Sequence, residues 1–207
     1  MRTGFRLLIA LLALALLPSA AMAARSALRA DDMTLGNPKA KIVVVEYASL
    51  ACPHCAQFHK AVFPAFRKKY IDSGRVLFVY REYLTAPGQV AVPATVLSRC
   101  VPKKDYFAFL ERAFAAQESI YKEGTVAGLQ RILKGIAAGF GVNEAAYDAC
   151  LADQTRLNAL DARMKLAVET DGVDGTPTFF VNGVKVQQPA GQDIDLPLLD
   201  AAIAKAK

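Results

Sequence analysis

The sequence predicts an α/β protein in which a β-α-β unit and a later β-β-α unit build one mixed sheet around an inserted helical segment. Two β-branched runs, residues 41–47 and 75–81, flank a stretch with helical periodicity. Residues 87–168 are rich in alanine and repeat apolar side chains at helical spacing. An Asn-Gly pair at 182–183 then separates two short apolar runs, which is a strong hairpin signal.

The first two strands and the helix between them carry clear local signals. Residues 41–47 are almost continuously apolar, which is typical of a strand buried on both faces, and residues 75–81 repeat this pattern. Residues 53–71 place aromatic and aliphatic side chains at four-residue spacing, and Pro64 predicts a kink inside this helix. The three elements together predict a right-handed crossover between parallel strands.

The remaining elements follow in order along the chain. Strands at 178–181 and 184–186 form the predicted hairpin, and residues 196–205 form an amphipathic terminal helix with Asp195 as its N-cap. The length fits one domain that carries an insertion. Within the alanine-rich segment, helices are predicted at 91–101, 103–117, 126–139, 143–152 and 154–170.

The first 23 residues have the pattern of a secretory signal peptide. Arg2 and Arg6 form a basic start, residues 7–17 are all apolar, and Ala-Met-Ala at 21–23 resembles a cleavage site. An uncleaved anchor is the alternative, although a transmembrane helix needs about 20 apolar residues. We therefore expect export to the periplasm, where disulfides persist.

The charge of the chain argues against nucleic acid as a partner. The formal net charge is +6, and it falls to +4 once the signal segment with its two arginines and no acids is removed. This surplus is mild and dispersed. The one basic triplet, residues 67–69, is interpreted as a solvated helix face.

The motif Cys52-Pro53-His54-Cys55 at the start of a predicted helix indicates thiol–disulfide chemistry. Cys52 is the expected nucleophile, because a helix N-terminus stabilises its thiolate at an exposed position. An oriented imidazole of His54 near the sulfur would stabilise that anion further. Cys55 is the expected resolving thiol, one turn later and more buried.

Other uses of these residues are less consistent with the spacing. A structural disulfide across so short a loop would stabilise little, and haem attachment needs a histidine where Ala56 stands. Zinc is a stronger rival because His54 and His59 lie close by, but no second ligand pair exists, so no metal site is expected. His59 is interpreted as a helix-surface residue.

These motifs resemble the thioredoxin fold, and the helical insertion makes the chain similar to the DsbA family of exported thiol–disulfide oxidoreductases. Residues 45–47, 80–83 and 172–183 also follow that family's pattern. The resemblance implies a thioredoxin-like domain formed by residues 24–86 and 169–207, with the helical domain at 87–168 inserted between its two parts.

The resemblance also implies roles for Thr176 and Pro177. Pro177 would form a cis peptide bond facing the cysteine pair, and Thr176 and Pro177 would pair with an extended substrate. Pro53-His54 resembles the oxidase-type members. Thr176 instead stands where strong oxidases commonly have valine and disulfide isomerases commonly have threonine.

An acidic residue inside an apolar strand is a further candidate. Glu46 would have a raised pKa if buried and could move protons for Cys55; a solvated residue at the strand end is the alternative. Arg81 and Glu82, at the end of the next strand, are expected to join this charge cluster more weakly.

Cys100 and Cys150 remain as an even pair in the helical segment. In an exported protein they most simply form a structural disulfide, which over about 50 residues would stabilise by ~4 kcal/mol. A redox-regulatory pair is the alternative.

The expected function is oxidation of newly exported, cysteine-containing proteins by a monomeric enzyme. Its redox-active centre is the Cys52–Cys55 pair, with no further cofactor, and the resemblance implies a DsbB-like membrane partner that reoxidises it. The isomerases that the chain would resemble dimerise through an N-terminal domain. Here only 17 residues (24–40) precede the first predicted strand, so we expect an oxidase. The alternatives are an isomerase or reductase of the same fold, or a periplasmic metal-binding or peptide-binding module.

Overall fold

The computed structural model describes residues 28–206, which contain five strands in one mixed sheet. The predicted signal peptide lies outside the described residues. The strands lie in the order β1-β3-β2-β4-β5; β2 and β3 are parallel, and the other neighbouring pairs are antiparallel. Their bounds are β1 (Met33–Gly36), β2 (Ile42–Ala48), β3 (Val76–Glu82), β4 (Thr178–Val181) and β5 (Val184–Lys185).

The two long central strands confirm the prediction from their β-branched runs. Every residue of β2 and β3 is buried, because both faces of the sheet are covered. Successive side chains of β2 alternate between two hydrophobic clusters: Val44 belongs to the large core, and Val43 and Val45 belong to a smaller one with Ala167 and Val173.

The edge strand β1 was not predicted from the sequence, since its four residues are too few for a pattern. It pairs with β3 in the register Met33 to Tyr80. Gly36 ends the strand with φ at 101°, and a Cβ there would lie 2.8 Å from the Val76 carbonyl oxygen. A glycine is therefore required where β1 approaches β3 so closely.

Eight α-helices surround this sheet within residues 28–206. The helix predicted at 53–71 is interrupted near Val62, because Pro64 cannot donate a backbone hydrogen bond to the preceding turn, and it ends in a π-helical turn at Arg67–Ile71. A further π-helical turn, Leu166–Thr170, follows the helix at Gln154–Lys165. The bounds are α1 (Pro53–Ala61), α2 (Phe63–Phe66), α3 (Gly88–Ser98), α4 (Tyr106–Glu123), α5 (Val126–Ala138), α6 (Glu144–Ala152), α7 (Gln154–Lys165) and α8 (Leu196–Lys205).

The inserted helices α3–α7 share the large hydrophobic core with the sheet. Phe114 of α4 contacts Tyr80 of β3, with ring centroids 6.4 Å apart, and α4 also packs along α1. A disulfide between Cys100 and Cys150 joins the end of α3 to α6, with the two Cα atoms 6.3 Å apart. No helix within residues 28–206 is long and apolar enough to cross a membrane.

Arg81 and Glu82 do not join Glu46, which corrects the expectation of one charge cluster. Arg81 lies on the opposite face of β3 and forms two hydrogen bonds of 2.9 Å with Asp32. Tyr80 is the residue paired in register with Glu46. Glu82 lies two residues after Tyr80, on the same face of β3. Its carboxylate binds Arg99 and Arg163, and it also accepts a hydrogen bond of 3.1 Å from Tyr106.

The contacts of Glu82 join the sheet to the inserted helices. We therefore predict that Glu82→Gln destabilises the protein by about 3–5 kcal/mol. The substitution removes the buried carboxylate from the half-buried Arg99 and Arg163, of which Arg163 keeps only the more exposed Asp31 at 3.6 Å. Urea unfolding would measure the change. Glu144→Gln is the matched control, because its pair with Lys134 is exposed and should contribute nothing measurable. Equal urea midpoints for the two variants would contradict the prediction.

Candidate active site

The cysteine pair lies where β2 ends and α1 begins. Cys52 is the N-cap of α1, with extended backbone (φ −86°, ψ 120°), and Pro53 follows at the first helical position. The turn before it is closed by a hydrogen bond of 3.0 Å from the Cys52 N–H to the Ser49 carbonyl. The Cys52 sulfur therefore lies at the positive end of the helix dipole.

The surroundings of Cys52 stabilise its thiolate. The pKa of Cys52 is lowered to about 5, and the largest cause is the hydrogen bond donated by the Cys55 thiol, against the opposing effect of burial. The Thr176 side chain and the backbone N–H groups of Cys55 and His54 contribute to the same lowering. Cys52 is only 6% exposed, so the expectation that the nucleophile is exposed is wrong.

Cys55 has the opposite environment. It is fully buried, and burial raises the pKa of its thiol well above the usual value. The hydrogen bond to Cys52, the charge of Cys52 and the charge of Glu46 raise this pKa further. Two sulfurs within one helical turn thus differ in acidity, with the anion favoured on Cys52 and the proton on Cys55.

The ring of His54 lies beside Asp193, and its backbone contributes to the low pKa of Cys52. The imidazole is exposed, and its Nδ1 lies 2.7 Å from Oδ1 of Asp193, in the loop before α8. The part of His54 that lowers the pKa of Cys52 is its backbone N–H. An effect of the imidazole itself on the Cys52 sulfur stays a prediction.

Thr176 and Pro177 lie against the Cys52 sulfur from the β4 side. The Thr176–Pro177 peptide bond is cis, and the thiol of Cys52 donates to the Thr176 carbonyl oxygen at 3.4 Å. The Thr176 hydroxyl is buried and has no hydrogen-bond partner within residues 28–206. A thiolate at Cys52 would give that hydroxyl an acceptor, which agrees with its effect on the Cys52 pKa. A second cis bond, Ala86–Pro87, leads into α3 and was not predicted.

Glu46 is fully buried and is paired with His59. The Nε2 atom of His59 lies 3.1 and 3.0 Å from the two carboxylate oxygens. The alternative of a solvated Glu46 is thus wrong, and so is the interpretation of His59 as a surface residue. The His59 ring is buried because it stacks on Phe114 of α4, with the centroids 4.1 Å apart and the planes 14° from parallel.

Gln117 and Tyr121 of α4 hold the active-site turn and were missed in the sequence. The Gln117 amide donates to the carbonyl oxygens of Leu50 and Cys52 at 3.0 and 3.1 Å, and the Tyr121 hydroxyl donates to that of Ala51. A glutamine on the buried, apolar face of this helix was the available signal. Within the described part of the chain, no three His, Cys, Asp or Glu side chains are grouped so that they could hold a metal ion.

We predict that Thr176→Val raises the pKa of Cys52 towards the usual cysteine value, because valine keeps the side-chain shape but has no hydroxyl to stabilise the thiolate. Thiolate absorbance in the ultraviolet, followed against pH in the reduced protein, would measure it. Thr176→Ser retains the hydroxyl and is the matched control. An unchanged pKa in the valine variant would contradict the assigned role of the hydroxyl.

Comparisons with known proteins agree with this fold. A family model described as thioredoxin matches residues 29–200. The crystal structure of Wolbachia pipientis α-DsbA1 has a TM-score of 0.72 and 31% identity, over 89% of this chain and 97% of that one. A protein-disulfide isomerase structure from Novosphingobium aromaticivorans has a TM-score of 0.74 at 21% identity, covering 87% of this chain and 100% of that one, and shows the fold alone.

A curated relative from Rickettsia bellii, whose name assigns it provisionally to the protein-disulfide oxidoreductases, is 33% identical over 177 residues. That match covers 86% of this chain and 66% of the relative, so the chain spans just under two thirds of its length. The thioredoxin match covers most of the chain, and the similarity to α-DsbA1 extends over nearly all of that protein. The chain therefore belongs to the thioredoxin family and, within it, to the DsbA-like proteins.

Proposed function

We propose that this chain is a thiol–disulfide oxidoreductase that donates the Cys52–Cys55 disulfide to cysteine-containing proteins. The observation that carries the proposal is the opposed acidity of the two thiols. The pKa of Cys52 is lowered to about 5, whereas that of Cys55 is raised well above its usual value. Stabilising the thiolate stabilises the reduced enzyme, which makes the disulfide form a stronger oxidant.

The exchange runs in two displacement steps. A substrate thiolate attacks the Cys52 sulfur, a new disulfide forms between them, and the Cys52–Cys55 bond breaks. Cys55 leaves with the electron pair and takes up a proton, with Glu46 as the proposed donor in this buried site. A second substrate thiolate then attacks the substrate sulfur of the mixed disulfide, and Cys52 leaves as the stabilised thiolate.

The segment around the cis bond is the proposed substrate-binding surface. A cavity of about 380 Å³ runs beside Thr176 and Pro177 towards Val186 and Ile194. An extended peptide in this cavity would bring its sulfur to Cys52, since the Thr176 carbonyl already contacts that sulfur.

The oxidase role in an exported setting is part of this proposal. The signal-like pattern of residues 1–23 supports export to the periplasm, where a DsbB-like membrane partner would reoxidise the enzyme. The Cys100–Cys150 bond is then a structural link between α3 and α6. The monomeric state stays a prediction, which sedimentation of the purified protein would test.

The decisive experiment equilibrates the protein with glutathione and follows oxidation of a reduced dithiol peptide. We predict a potential well above the value of about −270 mV typical of thioredoxin, because the reduced form is stabilised at Cys52. Cys52→Ser should abolish turnover, whereas Cys55→Ser, which cannot form the Cys52–Cys55 disulfide, should stop at a mixed disulfide between Cys52 and glutathione. A thioredoxin-like potential would exclude the oxidase role.

An isomerase is the second candidate, favoured by the threonine at position 176. It would reshuffle scrambled disulfides faster than it oxidises the dithiol peptide. A peptide-binding module would keep its ligand affinity in Cys52→Ser, and a metal carrier would bind zinc or copper in the reduced form without turnover. Measurements on the wild type, Cys52→Ser and Cys55→Ser therefore distinguish an oxidase, an isomerase, a peptide-binding module and a metal carrier.

The lowered pKa also predicts how the stability of the reduced protein depends on pH. Cys52 is an acid whose folded pKa, about 5, lies below its unfolded value near ~8.5. Its contribution is therefore complete above the unfolded pKa and is lost as the pH falls to about 5. We predict that the free energy of unfolding of the reduced protein decreases over this range, relative to Cys52→Ser. Parallel pH curves for the two proteins would contradict the lowered pKa.

A further inference from the structure

The side chains of His54 and Asp193 join the start of α1 to the loop before α8. His54 lies between the two cysteines, at the second position of α1, and its ring is exposed. Nδ1 of this ring lies 2.7 Å from Oδ1 of Asp193, which follows 139 residues later in the chain. The ring makes no other hydrogen bond within residues 28–206. One member of the pair thus belongs to the redox motif itself, and neither displacement step of the exchange uses it.

The backbone that follows Asp193 is anchored, so its carboxylate projects from a fixed point. Ile194 is 3% exposed, belongs to the hydrophobic core and lines the proposed substrate cavity. The next residue, Asp195, caps α8, because its side chain accepts a hydrogen bond of 2.8 Å from the Leu198 N–H. Asp193 therefore connects this cavity to the cysteine motif through the His54 ring.

The contact also determines which nitrogen of His54 carries the hydrogen. A carboxylate can only accept hydrogen bonds, so the hydrogen between the two groups belongs to Nδ1. In the neutral ring, Nε2 is then free to accept a proton, and an exposed ring can pass that proton to water. A carboxylate that holds an imidazole in one tautomer is also the arrangement that activates the nucleophile in catalytic triads. As an exposed ion pair, the same contact would contribute little to stability.

We propose that His54, held by Asp193, is a general base that removes the proton of the incoming substrate thiol. The inference rests on the proposed function and supplies the step before the first displacement. Only a thiolate attacks a disulfide, and a free cysteine is only a few per cent ionised at pH 7. A base at this position raises the fraction of substrate that can react. Asp193 is a positioning residue, because it acts on the substrate only through the ring.

The protons and electrons of this step balance. Nε2 of His54 takes the proton of the first substrate thiol, and the resulting thiolate bonds to the Cys52 sulfur while the Cys52–Cys55 bond breaks. Cys55 leaves with the electron pair and takes up one proton. The ring releases its own proton to water and then deprotonates the second substrate thiol, whose attack releases Cys52 as a thiolate. Each substrate dithiol thus loses two protons and two electrons, and the enzyme keeps both electrons and one proton.

Two thiols of different acidity separate this role from an effect on Cys52. The oxidised protein is reacted at pH 7 with a cysteine-containing peptide or with an aryl thiol that is already ionised, at high ionic strength to screen the exposed charges. We expect His54→Gln to lower the second-order rate constant for the peptide by about 10-fold, because the few per cent of peptide thiolate still reacts without a base. The aryl thiol has no proton to lose, so it should react with this variant at the wild-type rate.

The variants of Asp193 test the positioning role. Asp193→Asn should slow the peptide reaction by a smaller factor than His54→Gln, since the imidazole remains and only its preferred tautomer is lost. Asp193→Glu keeps a carboxylate and should restore most of the wild-type rate. Gln192→Ala is the matched control, because Gln192 is exposed in the same loop next to Asp193. It should react like the wild type with both thiols.

Three outcomes would overturn the general base. Equal slowing of both thiols in His54→Gln would place the effect on Cys52 and not on the incoming thiol. A wild-type rate with the peptide in His54→Gln would show that no base acts there. A wild-type rate in Asp193→Asn, with His54→Gln slowed, would refute the role of Asp193. A wild-type protein that reacts with both thiols no faster than glutathione disulfide does would instead refute the proposed function.

Discussion

The site depends on one constraint: two sulfurs in a single turn of α1 must meet opposite environments. Position alone gives part of this difference, because the N-cap residue lies beside free backbone N–H groups and a residue one turn later lies inside the helix. The fold supplies the rest. Thr176 approaches Cys52 from the β4 side, and burial together with the charge of Glu46 on β2 keeps the proton on Cys55. Because a hydrogen bond from Cys55 is also the largest cause of the low pKa at Cys52, each thiol sets the acidity of the other.

The inserted helices are part of this arrangement and not an appendage to it. Gln117 of α4 binds two carbonyl oxygens of the active-site turn, so the turn is held from outside the sheet. Three residues earlier, Phe114 covers the His59 ring and removes it from solvent. The spacing of three places both side chains on the same face of α4. A shift of this helix would therefore alter the backbone around Cys52 and the surroundings of Glu46 together.

The sequence predicted what local patterns determine. The β-branched runs predicted β2 and β3, the Asn-Gly pair predicted the hairpin, in which Asn182 and Gly183 both have positive φ, and Asp195 caps α8 as expected. It could not predict features that arise from distant packing. His59 looked like a surface residue because α1 alone does not reveal that α4 covers that face. The four residues of β1 become a strand only because β3 offers them an edge.

The two buried carboxylates of the sheet show why the Glu46–His59 pair differs from a structural ion pair. Glu82 has three partners, Arg99, Arg163 and Tyr106, two of which carry permanent charge. Glu46 has one partner in the described contacts, and that partner is a titratable ring whose second nitrogen is unpaired. A buried polar group that is left incompletely satisfied costs stability. We therefore expect such a group to have a role other than stabilising the fold. Arginines, which do not release protons at neutral pH, suit a network that only joins elements, although Nε of Arg163 also has no hydrogen-bond partner within residues 28–206. A carboxyl group that is to give a proton to Cys55, as proposed, is better served by one titratable partner than by partners of permanent charge.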